Sequence, residues 1–103
     1  MDLKEKVETD FAAINGCMQK EFPELNFQEK GDECTGANSS GKIVLRIHIT
    51  SDCRVVIRNR RDGQGDEKIF KVLEAFRTRE ELEKKYVRYV PGMQAASHFE
   101  INY

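Results

Sequence analysis

The chain has 103 residues, 34% of them charged and 39% hydrophobic, with 17 Lys and Arg against 18 Asp and Glu for a net charge of -1. That length suits a single compact domain over residues 1–103, with one core and no room for a deep, dry cleft beside it. No run approaches the ~18 consecutive apolar residues of a membrane helix. The start, Met1-Asp2-Leu3-Lys4-Glu5, is charged where a signal peptide would be apolar, so a cytoplasmic protein without a membrane partner is expected.

Leu3, Val7, Phe11, Ile14, Met18 and Phe22 recur at helical steps and predict a helix over residues 2–21 that stops before Pro23. Cys17 flanks that stripe and reads as a small buried hydrophobe. Leu25 and Phe27 alternate with polar residues as a short strand, and Gly31 to Gly41 has the composition of a loop. Lys42 to Thr50 is the clearest strand, with Ile43, Leu45, Ile47 and Ile49 on one side and Val44, Arg46, His48 and Thr50 on the other. Cys53, Val55 and Ile57 continue the alternation after a turn. A three-residue loop at Thr50-Ser51-Asp52 opposes Ile49 with Cys53, Ile47 with Val55 and Leu45 with Ile57, leaving one face apolar and the other basic.

Ile69, Val72, Leu73 and Phe76 have helical spacing, although residues 67–77 also fit a strand; helix is preferred, with Asp66 as its cap. Thr78-Arg-Glu-Glu81 has the form of a capping box and predicts a last helix carrying Leu82, Tyr86 and Tyr89 and ending before Pro91. Phe99, Ile101 and Tyr103 alternate as an added edge strand. The expected architecture is α+β: an N-terminal helix and one or two C-terminal helices on one face of a three- to four-stranded antiparallel meander, with the other face open. The order helix, three strands, helix is shared with double-stranded-RNA-binding domains, but their lysine-rich second-helix signature is missing.

Chemical motifs do not survive inspection. Gly36 to Lys42 matches G-x-x-x-x-G-K, yet Ile43 stands where the magnesium-binding Ser or Thr belongs, and a strand follows where a helix is required. Asn38-Ser39-Ser40 fits a glycosylation acceptor without a secretory signal. Asp62, Asp66 and Glu67 lack the alternation of an EF-hand loop. Cys17, Cys34 and Cys53 are odd in number and contain no C-x-x-C, which suits reduced thiols. The expected register separates Cys53 from His48, leaving Cys34, in its loop, as the thiol to watch for reactivity. No catalytic residue, metal site or cofactor is assigned, and a small thiol- or metal-dependent enzyme stays as the residual class.

Charge asymmetry is the positive signal. Residues 1–34 carry a net -5, residues 35–65 a net +4 and residues 66–103 a net 0. The candidate binding residues are Lys42, Arg46, His48, Arg54, Arg58, Arg60 and Arg61, mostly Arg, which suits bidentate contact with carboxylate or phosphate. Such a face also serves simply to protect a sheet from association, partly neutralised by Asp2, Glu5, Glu8 and Asp10 of the first helix. The leading expectation is a small non-enzymatic interaction protein, an inhibitor, adaptor or accessory factor such as a bacterial or phage-encoded regulator, that docks a protein partner's acidic surface. The alternative is a nucleic-acid-binding module using the same arginines on phosphates; no aromatic is interleaved on that face to stack bases.

Overall fold

The computed structural model describes residues 2–61, 63–77, 87–88 and 96–103, with 87–88 described as backbone. Asp2 is extended, and its Oδ1 accepts from the Glu5 N–H at 2.8 Å, opening helix α1, Leu3–Glu21. The predicted stripe is the buried face: Val7, Phe11, Ile14 and Met18 are covered, and Phe22 caps the end with its N–H donating to Met18 O at 2.9 Å. Leu3 remains 50% exposed. Cys17, expected inside, is exposed, because it lies one position before Met18 and so about 100° round the helix from it, on the polar side.

The chain then runs β1 (Asn26–Lys30), β2 (Glu33–Ala37), β3 (Ile43–Ile49), β4 (Val55–Asn59), helix α2 (Asp66–Leu73), β5 (Val87–Arg88) and β6 (Ser97–Ile101). The sheet order is β1-β2-β3-β4-β6-β5 with every pairing antiparallel. The fold is α+β as expected, but five strands of five to seven residues and a two-residue edge replace the three- to four-stranded meander.

Two strands account for the difference. β2 lies inside the segment expected to be a loop. Its Gly36 sits opposite Phe27, and a Cβ there would meet Phe27 Cε1 at 3.1 Å and Leu25 Cδ1 at 3.2 Å. The glycine that suggests a loop by composition is therefore the seat of an aromatic ring in the sheet. β6 was expected at the edge, but it lies between β4 and β5. Val87 and Arg88 pair with His98 and Ser97, so the expected last helix does not include these two residues. The capping box at Thr78 and the residues Leu82, Tyr86 and Tyr89 lie outside the described residues.

From Leu45 onward the β3–β4 hairpin keeps the predicted faces and changes the partners. Ile49 opposes Val55, Ile47 opposes Ile57 and Leu45 opposes Asn59, two residues away from the expected register. The loop has three residues, but they are Ser51-Asp52-Cys53, closed by the Thr50 N–H donating to Arg54 O at 2.9 Å. Cys53 takes the left-handed position at φ 60 that ends such a loop. Moving the loop by one residue moves the pairing by two, which keeps the residues from Leu45 to Arg58 on their predicted faces; at the start of β3 the faces exchange, with Val44 buried in the core and Ile43 39% exposed, where the β2 pairing shifts register between Gly36 and Ala37.

The apolar face carries Cys34, Leu45, Ile47, Val55, Ile57, Phe99 and Ile101 against α1 and α2. Ile69, Phe70, Val72 and Leu73 of α2 are buried there, with the Phe70 ring edge-on to Phe99 at 4.9 Å between centroids. Asp66 does not cap α2. Gly65 is the N-cap, and Asp66, first in the helix, accepts from Asn59 Nδ2 at 2.8 Å and from Ser97 Oγ at 2.7 Å. One carboxylate thus ties the start of α2 to the adjacent strands β4 and β6 by accepting from two buried polar side chains.

Candidate functional site

The face turned away from the helices is built from alternate positions of β2, β3, β4 and β6. Pairing places Thr35, Arg46, Arg58 and His98 in one row across four strands, and Glu33, His48, Val56 and Glu100 in the next. Arg46 and Arg58 are direct cross-strand partners, and Arg58 is again the partner of His98. Like charges opposite each other weaken a sheet by roughly 0.2–1 kcal/mol per pair. Val56 sits among these groups and is only 3% exposed, covered on a polar face where long side chains lay their stems over apolar surface.

Not all of the predicted cations are equally available. Arg54 donates from Nη1 to Glu100 Oε1 at 2.9 Å and from Nε to Asp52 at 3.1 Å. Asp52 also accepts from the Thr50 hydroxyl at 2.6 Å, and Thr50 and Arg54 together hold its carboxyl below the usual range. Arg46 Nε lies 3.8 Å from Glu33 Oε1, too far for a hydrogen bond. The Arg58 side chain is exposed and makes no ion pair or hydrogen bond among the described residues, and the same holds for the side chains of Lys42 and Arg60 at the end of the hairpin. Arg61 leaves the group: its guanidinium lies 4.9 Å over the Phe22 ring and 3.4 Å from Glu24, on the helix side.

His48 stands between Glu33 and Val56, and burial lowers its pKa below the ordinary histidine value; Glu33 opposes that, while Arg46, Arg58 and His98 add to it. Its Nδ1, like Arg46 Nε, is buried with no hydrogen-bond partner among the described residues. His98 Nε2 is 2.8 Å from Glu100 Oε1. Burial pushes the Glu100 carboxyl up, but the hydrogen bonds from His98 and Arg54 outweigh it and its pKa falls below the usual value.

Sequence reasoning placed neither His98 nor the acids Glu33 and Glu100 in this cluster. The alternation of Phe99 and Ile101 already sent His98 and Glu100 to the polar side, but nothing local says that β6 lies against β4. The helix acids expected as neutralisers are elsewhere: Asp10 accepts from the Tyr103 hydroxyl at 2.7 Å and faces Lys6 at 3.5 Å. Glu33, Asp52 and Glu100 take that role.

The other candidate chemistry resolves into structure. The Gly36–Lys42 segment is the end of β2 and the β2–β3 turn, where Asn38 Oδ1 accepts from the Ser40 and Lys42 N–H groups at 3.1 and 3.0 Å, occupying donors a phosphate would need. Cys34 is fully buried in β2, not held in a loop, and burial, reinforced by Glu29, pushes its thiol up to about 11. Burial and a raised pKa both disfavour the thiolate that reacts as a nucleophile. Among the described residues no three His, Cys, Asp or Glu converge as a metal cluster, and no helix is long and apolar enough to cross a membrane. No protein-family model matches the chain, and no curated protein or solved structure matches it.

Proposed function

We propose that this chain is a small, non-enzymatic interaction protein that docks an acidic protein surface on the basic face of its sheet, with Arg46 and Arg58 at the centre of the contact. The observation that carries this reading is the direct cross-strand pairing of two arginines, one of them without an acidic partner among the described residues. A sheet gains nothing from that juxtaposition in isolation, whereas one carboxylate-rich surface relieves it by accepting from both guanidinium groups. Arg54 contributes by holding Glu100 and Asp52, and Lys42 and Arg60 extend the field along the hairpin.

The test is fluorescence polarisation at low salt with a labelled oligo-aspartate peptide and, in parallel, labelled duplex DNA. Saturable peptide binding that weakens with salt and is lost in the Arg46→Glu/Arg58→Glu variant, whose melting shows it folded, supports the reading. Tighter binding of the duplex with the same mutational loss moves the function to nucleic acid. Absence of binding to either probe removes the face from consideration.

A further inference from the structure

We propose that docking on this face is gated by protons, with His48 and His98 as the gate: their protonation turns a charge-balanced sheet face into a cationic one. This rests on the acidic-surface reading above and adds its regulation. At the centre of the face Arg46, Arg54 and Arg58 are matched in number by Glu33, Asp52 and Glu100. With both imidazoles neutral, the centre therefore carries alternating charge and little net attraction for an acidic partner. Each imidazole that gains a proton adds a full unit between the arginines.

The surroundings of each histidine make the gate responsive to the partner. His48 on β3 is faced by Glu33 from β2, by Arg46 from its own strand, by Arg58 and Val56 from β4 and by His98 from β6. His98 on β6 is faced by Glu100 from its own strand, which also binds Arg54, by Arg58 from β4 and by His48; its other cross-strand neighbour is Val87 of β5. In the free protein the arginines oppose a proton on His48, and burial adds to that opposition. An acidic partner over Arg46 and Arg58 cancels the repulsion, so binding and proton uptake favour each other by the same amount.

The experiment uses the full chain and an oligo-aspartate peptide, whose carboxylates stay ionised across the range. Dissociation constants at about pH 7.5 and about pH 5.5 are compared for the wild type and for His48→Gln/His98→Gln. The expected result is roughly tenfold tighter binding at the lower pH in the wild type, with that ratio falling close to unity in the variant. In the wild type alone, the His48 imidazole titration followed by NMR shifts to higher pH when peptide is added, a readout that does not depend on the variant folding. Peptide binding that is the same at both pH values, or a pH ratio that survives in the variant, overturns the gate and leaves the docking reading standing. No peptide binding at either pH overturns both.

Discussion

Gly65→Ala offers a sharp test of how the fold is held, because two independent penalties meet at one methyl group. Gly65 is the N-cap of α2 at φ 90, where an alanine is strained by about 1–2 kcal/mol. The added Cβ would also stand 2.9 Å from Phe22 Cε1. The Phe22 ring is fully buried, with the Arg61 guanidinium over it at 4.9 Å and the Lys68 ammonium at 5.4 Å, so it has little freedom to withdraw. Overpacking of this kind costs roughly 1–3 kcal/mol, for a combined loss of about 3 kcal/mol. In a domain of this size that lowers Tm by roughly 12–24 °C. Gly16→Ala is the opposite control: it lies exposed within α1, nothing stands within 4 Å of its added Cβ, and it should gain roughly 0.5–1 kcal/mol from helix propensity. Urea and thermal unfolding of both variants are the assay, together with Phe22→Leu and Gly65→Ala/Phe22→Leu; with the smaller side chain at 22 the overlap is gone, and adding Gly65→Ala costs only the backbone strain. A Gly65→Ala protein as stable as the wild type would refute the packing argument. So would a double variant in which the two losses simply add.

Arg58→Thr should raise stability by a few tenths of a kcal/mol in the absence of any partner, since it ends the like-charge pairing with Arg46 and places a β-branched residue in β4, while abolishing peptide binding; urea midpoints and polarisation read the two effects separately. A fall in stability would mean that the arginine pair is supported internally. Tyr103→Phe should cost about 1–2 kcal/mol near neutral pH, because Asp10, a buried side chain, loses its 2.7 Å hydroxyl donor. Burial, the hydrogen bond to Asp10 and the Asp10 charge all raise the Tyr103 pKa, with the Arg77 guanidinium opposing them. A raised pKa contributes stability that is complete below the unfolded tyrosine value and is lost as pH climbs toward the folded one, so the difference between wild type and variant should shrink above about pH 10 in stability measurements across alkaline pH. Thiol titration of the native protein should find Cys17 reacting first and Cys53 more slowly, with Cys34 silent until the chain unfolds. A native Cys34 that reacts as fast as Cys17 would place β2 outside the sheet.

Periodicity along the chain was enough for much of this molecule. The stripe from Val7 to Phe22 forced a helix with one buried face, and the alternation from Lys42 to Ile57 forced two strands with an apolar and a basic face, because side-chain direction follows from the local backbone repeat. The same alternation put Arg46, His48 and Arg58 together on one side. It was silent on register, since a shift of two residues preserves both faces; the choice between loops fell to the left-handed position, occupied by Cys53 and not Asp52. Composition misread Glu33–Ala37 as loop because a glycine chosen to seat the Phe27 ring looks, in sequence, like one chosen for a turn.

Which charges neutralise which was decided only by the tertiary structure. Ion pairs between residues far apart in the chain depend on strand order, and strand order depends on how the whole core closes. β6 inserted beside β4 brings Glu100 and His98 to Arg54 and Arg58, and β2 brings Glu33 to Arg46 and His48. Arg61, a neighbour of Arg60 in sequence, turns instead to Phe22 and Glu24 on the helix side. The sequence by itself determined that a basic face exists, through the short-range geometry of a strand. Its charge balance, and the arginine pair left at its centre, come from contacts between distant segments that no local pattern encodes.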